Sequence, residues 1–165
     1  YFVNGNNFVN GKIQINEKTR TVSHQEYLKH IIGLTNQSLL MSINGTIGNV
    51  AIYDCEKIIL GKSACYINLS EQVSRDFIFY QLSSNRIENY FINELTGTTI
   101  KNLSLKTIRS TPILLPPLDE QNKIAESISI ISKRIKLKDE LLNKYQKLRN
   151  SLSQDLLSGR KRVNV

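Results

Sequence analysis

The sequence predicts an α+β fold, a mixed domain followed by a long C-terminal coiled-coil helix, and three observations predict it. Strand-like apolar runs come first, up to Leu69, and helical patterns follow. All 3 prolines of the chain fall in one short stretch, at Pro112, Pro116 and Pro117. No glycine or proline then occurs until Gly159, which leaves about 40 helix-compatible residues, or about 60 Å of helix at 1.5 Å per residue.

Taken in order, Tyr1 to Ile15 reads as strand, turn, strand, with Asn4-Gly5 and Asn10-Gly11 as turn dipeptides. Ser23-His-Gln-Glu26 fits a capping box, so a short helix is expected to run to about Ile32. Leu39–Ile43 and Val50–Tyr53 are apolar strands joined as a hairpin by the longer connection Asn44-Gly-Thr-Ile-Gly48. Lys57–Leu60 and Ser63–Leu69 make two further strands around Gly61. Ser74 is placed to cap a helix through Leu82, and a second helical piece covers Arg86 to about Asn93. Thr96-Gly-Thr-Thr99 is a polar loop, Ser104 caps a helical turn to Ile108, and Ile113–Leu115 closes as a short strand. The organisation is a domain at 1–117, a helix at 118–158 and a basic tail at 159–165.

Pro116-Pro117 ends whatever precedes it, because proline lacks a backbone N–H and clashes in helix interiors. Proline is tolerated in a first turn, and Asp119 and Glu120 put negative charge near the positive end of the helix dipole. Ile124, Ile128, Ile131 and Ile135 step by four, three and four, and Leu142, Tyr145, Leu152 and Leu156 continue the register. Lys138 and Arg149 interrupt this seam, while Ile130, Leu137, Leu141 and Leu148 widen the apolar face. Such a helix either folds back on its own domain or pairs with a helix of another chain or of a second copy. Its length favours pairing, since residues 1–118 would otherwise need a groove about 60 Å long.

The formal net charge is +8, with 11 basic and 8 acidic groups in residues 1–118 and 11 and 6 in the rest. Net positive charge favours polyanions, most simply nucleic acid, although solvated surface lysines explain a charge this modest equally well. Cys55 and Cys65 lie in apolar runs and read as buried free thiols of a cytosolic protein. No run of 18 apolar residues and no signal peptide is visible. A first residue Tyr1 inside an apolar segment reads as a fragment with an N-terminal piece missing.

Catalytic patterns are missing from the sequence. It contains neither a P-loop nor a G-x-G-x-x-G after a strand, so no nucleotide or methyl-donor cofactor is expected. Asn44-Gly-Thr-Ile-Gly48 lies between strands rather than opening a helix. Leu115-Pro-Pro-Leu118 lacks the acidic or amide residue and the aromatic that flank paired prolines in amino-methyltransferases. His24 and His30 are off-phase for one helical face and have no partner at metal-ligand spacing. Asp54, Glu56 and Lys57 miss the spacing of a nuclease cluster, and no serine has a histidine partner in any motif. The chain reads as a binder, with no catalytic residue and no metal site.

Three stretches together resemble one family. Ser42-Ile-Asn-Gly-Thr-Ile-Gly-Asn-Val-Ala-Ile-Tyr53 is similar to its G-x-I-G hairpin, and Thr96-Gly-Thr-Thr-Ile-Lys-Asn-Leu-Ser104 to the polar loop before its last strand. Leu114-Leu-Pro-Pro-Leu-Asp-Glu-Gln-Asn-Lys-Ile124 resembles its P-P-L-x-E-Q-x-x-I signature, and Gln154-Asp-Leu-Leu-Ser-Gly-Arg160 the end of its helix. The family is the DNA specificity subunit of type I restriction–modification systems. The resemblance implies a target recognition domain plus one conserved helix, either a half-subunit that pairs with itself or the C-terminal half of a longer subunit. It implies a non-catalytic, cytoplasmic prokaryotic protein that binds double-stranded DNA. It also implies methyltransferase subunits as partners, joined in the full complex by restriction and translocation subunits.

On this reading loops supply sequence readout, since arginine and lysine reach guanine and asparagine and glutamine reach adenine. The candidates are Asn44 and Thr46 in the hairpin loop, Lys62 and Ser63 after Gly61, and Thr98, Thr99, Lys101 and Asn102 in the polar loop. Lys12, Lys18 and Arg20 follow, while Gly45, Gly48 and Gly97 are expected to serve backbone geometry. The helix would space two recognition domains and so set the gap between half-sites. The specificity domain of a single-chain restriction–modification enzyme would look the same in sequence. A coiled-coil adaptor that binds protein is the reading from another class.

Overall fold

The computed structural model describes residues 1–95 and 102–163. It forms two compact units, Tyr1–Ala125 and Glu126–Val165.

The first unit is α+β. Its centre is the fully buried strand β4 (Ser38–Ser42), flanked antiparallel by β5 (Val50–Ile52) and β7 (Ala64–Asn68). Leu40 pairs with Ala51 on one side and with Tyr66 on the other, so the expected hairpin is present. Short strands surround this sheet. β1 (Phe2–Val3) lies parallel to β6 (Ile59–Leu60), and β2 (Phe8–Val9) pairs antiparallel with β3 (Lys12–Ile13). The Asn10-Gly11 turn joins β2 to β3 with both residues at positive φ, 52° and 76°. That twist suits a two-residue hairpin, and Gly11 also lies where a Cβ would stand 2.7 Å from the Phe79 ring.

The strands expected on either side of Gly61 exist, but they do not pair with each other. β6 goes to β1 and β7 to β4, which are contacts across some 57 and 26 residues of sequence. Serine caps start the first and fourth helices. α1 (His24–Lys29) starts where the Ser23 hydroxyl accepts from the Glu26 N–H at 3.2 Å, and it ends at Lys29, short of the expected Ile32. Ser74, at the N-cap of α2 (Arg75–Leu82), makes no side-chain capping bond. α2 and α3 (Asn85–Asn93) bring Phe77, Ile78, Leu82, Ile87 and Phe91 onto one face of the sheet, where they meet Leu39, Met41 and Leu103. A second cluster, Val3, Phe8, Leu40, Ala51 and Ile58, fills the opposite face, as the two-residue period of a strand requires. α4 (Leu105–Arg109) is capped by Ser104, whose hydroxyl accepts from the Thr107 N–H.

Two expectations need correction. Ile113–Leu115 is not a strand, because side chains rather than a strand take its main-chain groups. Gln81 accepts from the Leu114 N–H and donates to the Leu114 carbonyl, and Arg86 donates to the Pro112 carbonyl at 2.7 Å. Cys55 is exposed, not buried, since it occupies the turn after β5 at φ 61°. Cys65 is buried as expected, and burial pushes its thiol up to about 11, which leaves it protonated at neutral pH.

The 40-residue helix α5 (Leu118–Leu157) begins directly after the paired prolines. Its first turns belong to the first unit. Gln121 is 3% exposed; it accepts the Ser74 N–H at 2.9 Å and donates to the Pro116 carbonyl at 2.8 Å. One amide thus caps the start of α2 and anchors the entry to α5, with Ala125 buried one turn on. Replacing Gln121 by leucine strands a buried donor and a buried acceptor. We expect a loss of about 2 kcal/mol, read as a lowered urea midpoint at unchanged slope.

In the second unit the described helix runs from Glu126 and stops at Gly159, which takes φ 74° while the Lys161 N–H closes back on the Asp155 carbonyl. The Asp155 carboxylate also lies 3.8 Å from both the Arg160 and Lys161 side chains. Ile128, Ile131, Ile135, Leu142, Tyr145, Leu152 and Leu156 are all exposed, as are Ile130, Leu137, Leu141 and Leu148.

Candidate functional site

The loop between β4 and β5 is held by a serine within the strand. Ser42 is fully buried; its hydroxyl donates to the Thr46 carbonyl and accepts the Asn49 N–H at 3.0 Å. The Gly48 N–H closes on the Ser42 carbonyl at 3.0 Å. With the Thr46 carbonyl turned inward, its side chain stands exposed at the loop tip. Gly45 and Gly48 take φ 74° and 83°, the left-handed turns expected of them.

The polar segment returns to the same place. Asn44 bridges Asn102, and the Leu103 N–H donates to the Ile43 carbonyl at 2.9 Å. On the other side the Ile43 N–H donates to the Ser63 carbonyl at 2.9 Å, which sets exposed Lys62 beside this group. Asn44, Thr46, Lys62, Ser63 and Asn102 therefore gather at one end of the sheet, drawn from three segments. The Asn44 side-chain oxygen is buried with no hydrogen-bond partner among the described residues. Thr98, Thr99 and Lys101 lie outside the described residues, as does Gly97.

Other candidates fall elsewhere. Ser63 is tied into the fold: its hydroxyl accepts the Gly5 N–H at 3.1 Å and donates to the Asn4 side chain at 3.3 Å. Lys12 follows Gly11, whose carbonyl accepts the Ile52 N–H, so it lies at the end of β5 away from the loop. Lys18 sits exposed in a turn closed by Asn16 and Thr19. Arg20 stacks over the Phe2 ring at 5.5 Å, and its carbonyl accepts the Phe2 N–H. Ile124 packs against the core of the first unit, so it serves the fold before it serves the seam.

A cleft of about 520 Å³ opens beside the loop, between the Asn10-Gly11 turn, Ile47–Val50 and the Phe79, Phe91 and Leu95 side chains. Sequence reasoning missed Ser42 as the residue that shapes this loop. Its signal was a hydroxyl at the end of a strand, just before a glycine-punctuated loop. Burial raises the Tyr53 phenol, which keeps it neutral and donating to the Glu56 carbonyl at 3.1 Å. Among the described residues no group of three or more histidine, cysteine or acidic side chains is placed to hold a metal. No described helix is long and apolar enough to cross a membrane.

Residues 2–146 match the family model described as the type I restriction modification DNA specificity domain. The putative type I restriction enzyme MjaX specificity subunit of Methanocaldococcus jannaschii is 28% identical over 131 residues, which is 79% of this chain and 30% of that protein. The putative type I specificity subunit S.MpnORF638P of Mycoplasma pneumoniae is 30% identical over 119 residues, 70% of this chain and 31% of the relative. Among solved structures, the HsdS subunit from Thermoanaerobacter tengcongensis shares the fold with a TM-score of 0.67 at 20% identity, over 93% of this chain and 40% of its own. The chain spans a little under a third of the length of these curated relatives.

Proposed function

The chain belongs to the family of type I restriction–modification DNA specificity domains, and on that premise we propose that it reads one half of a bipartite DNA target. The observation that carries this reading is the gathering of Asn44, Thr46, Lys62 and Asn102 at one end of the sheet. Asparagine and threonine offer paired donors and acceptors to base edges, and Lys62 supplies a phosphate contact. Thr98, Thr99 and Lys101, between Leu95 and Asn102 in the chain, are further candidates on sequence grounds.

The protein does no chemistry of its own. Methyltransferase subunits carry out adenine methylation, and restriction and translocation subunits join them for cleavage. The seam of α5 pairs with a second helix, and helix length then sets the gap between the two half-sites. The exposed row Ile130, Leu137, Leu141 and Leu148 lies off that seam and offers a further helix a place to pack.

The test is binding to random-sequence duplex DNA across a salt series, followed by selection of preferred sequences. Affinity should fall linearly on a log–log plot, with a slope of about 0.9 per phosphate contacted. Lys62→Ala should reduce that slope by about one and leave sequence preference intact. Asn44→Ala should leave the slope and relax the preference at one base pair by about 1–3 kcal/mol. Salt-independent or absent DNA binding would favour the protein-binding adaptor instead.

A further inference from the structure

We propose that the free edge of β7 takes an extended strand of a partner polypeptide, apolar at alternate positions and carrying a carboxylate toward Arg109. This goes beyond DNA reading and does not rest on it.

The backbone register leads to it. The Leu69 N–H donates to the Gln37 carbonyl, and the Ser63 carbonyl accepts the Ile43 N–H. In an antiparallel pair hydrogen-bonded residues alternate, so Cys65 and Ile67 turn their main-chain groups to β4. Tyr66 and Asn68 turn theirs outward, whereas the Ala64 N–H is taken by the Gly61 carbonyl at 3.1 Å. Among the described residues β7 is the edge of its sheet, in the order β5-β4-β7. An open row of donors and acceptors at every second residue is a template for another strand.

The edge opens into a cleft of about 950 Å³. Side chains from both faces of β7 line it, together with Leu60, Ile78, Leu105 and Leu115. Its walls are mostly apolar, which disfavours nucleic acid. The charged residues lining it are Lys62 and Arg109, both basic. A strand with an acidic end complements them. A second copy of β7 does not, because Ala64–Asn68 holds no acidic residue and brings no carboxylate to Arg109.

The probe is a fluorescein-labelled peptide, Glu-Val-Thr-Val-Thr-Val-Glu, titrated with the full chain and followed by anisotropy and by amide exchange at Tyr66. Binding with protection of the Tyr66 amide is expected. Arg109→Glu should weaken it about tenfold and should admit the same peptide with lysine ends, while Leu105→Asp should weaken both peptides. Arg109 and Leu105 are exposed, and an unchanged circular dichroism spectrum shows that the variants fold. Equal binding of a peptide with proline at its centre would overturn the proposal, as would no saturation by the acidic peptide. Duplex DNA that loses affinity in both Arg109→Glu and Leu105→Asp would also overturn it, assigning the cleft to nucleic acid. So would a dimer that survives Ile131→Glu with Ile135→Glu and blocks the peptide, assigning the edge to a second copy.

Discussion

Ile131→Glu combined with Ile135→Glu is expected to turn a concentration-dependent dimer of this chain into a strict monomer, read by light scattering over a concentration series. The two isoleucines are 57% and 56% exposed on the helix of the second unit, so the substitutions leave the folded chain intact. They occupy successive seam positions of a repeat that runs from Ile128 to Leu156. A two-fold pair buries four such side chains, each contributing about 1.5–3 kcal/mol by transfer alone. Losing about 6 kcal/mol weakens association by about four orders of magnitude, before the cost of burying carboxylates is added.

Lys138 and Arg149 sharpen this expectation, because a basic seam residue selects register. In an antiparallel pair that sets Lys138 against Leu142 and Arg149 against Ile131, the two cations never face each other. Sliding one helix by a heptad sets Lys138 against Arg149 and is disfavoured. A wild-type chain that stays monomeric at high concentration would sink self-pairing. The seam would then belong to a helix of another polypeptide or to a second helix of a longer subunit.

What was legible in the sequence was whatever local physics decides. Paired prolines followed by about 40 residues without a breaker gave the start and length of α5. The hydroxyls of Ser23 and Ser104 announced α1 and α4, and the glycine loop announced the β4–β5 hairpin. Pairings between distant segments were not legible. The partners of β6 and β1 lie 57 residues apart, and nothing local marks them. Ile113–Leu115 has a strand's composition, but Gln81 of α2 takes the Leu114 N–H and carbonyl, and Arg86 of α3 takes the preceding Pro112 carbonyl.

The site divides in the same way. Asn44 and Thr46 were legible because a glycine-punctuated loop displays its polar residues. Ser63 looked alike in sequence, yet the Gly5 N–H and the Asn4 side chain claim its hydroxyl. Ile124 shared the seam's spacing, but the helix enters along the domain, so its first turns pack inward with Gln121 and Ala125. Periodicity identifies an apolar face and leaves open which neighbour covers it.

Phe91→Ala is expected to cost about 3–5 kcal/mol and to weaken DNA binding even under conditions where the variant remains folded. Phe91 is 2% exposed in the larger core cluster, where it holds α3 against the sheet. Its ring also supports the candidate DNA loop from beneath, since a Cβ at Gly48 would lie 3.6 Å from it. Truncation therefore opens a cavity in the core and removes the floor under Ile47–Asn49. Urea denaturation measures the first effect, and Ile92→Ala on the exposed side of the same helix should change stability by less than about 0.5 kcal/mol. DNA affinity measured well below the unfolding midpoint reads the second. If Phe91→Ala loses stability but binds DNA as the wild type does, the Ser42 hydrogen bonds alone hold the loop. Ser42→Ala should then release it, because that hydroxyl ties Thr46 and Asn49 together without touching the Phe91 cavity.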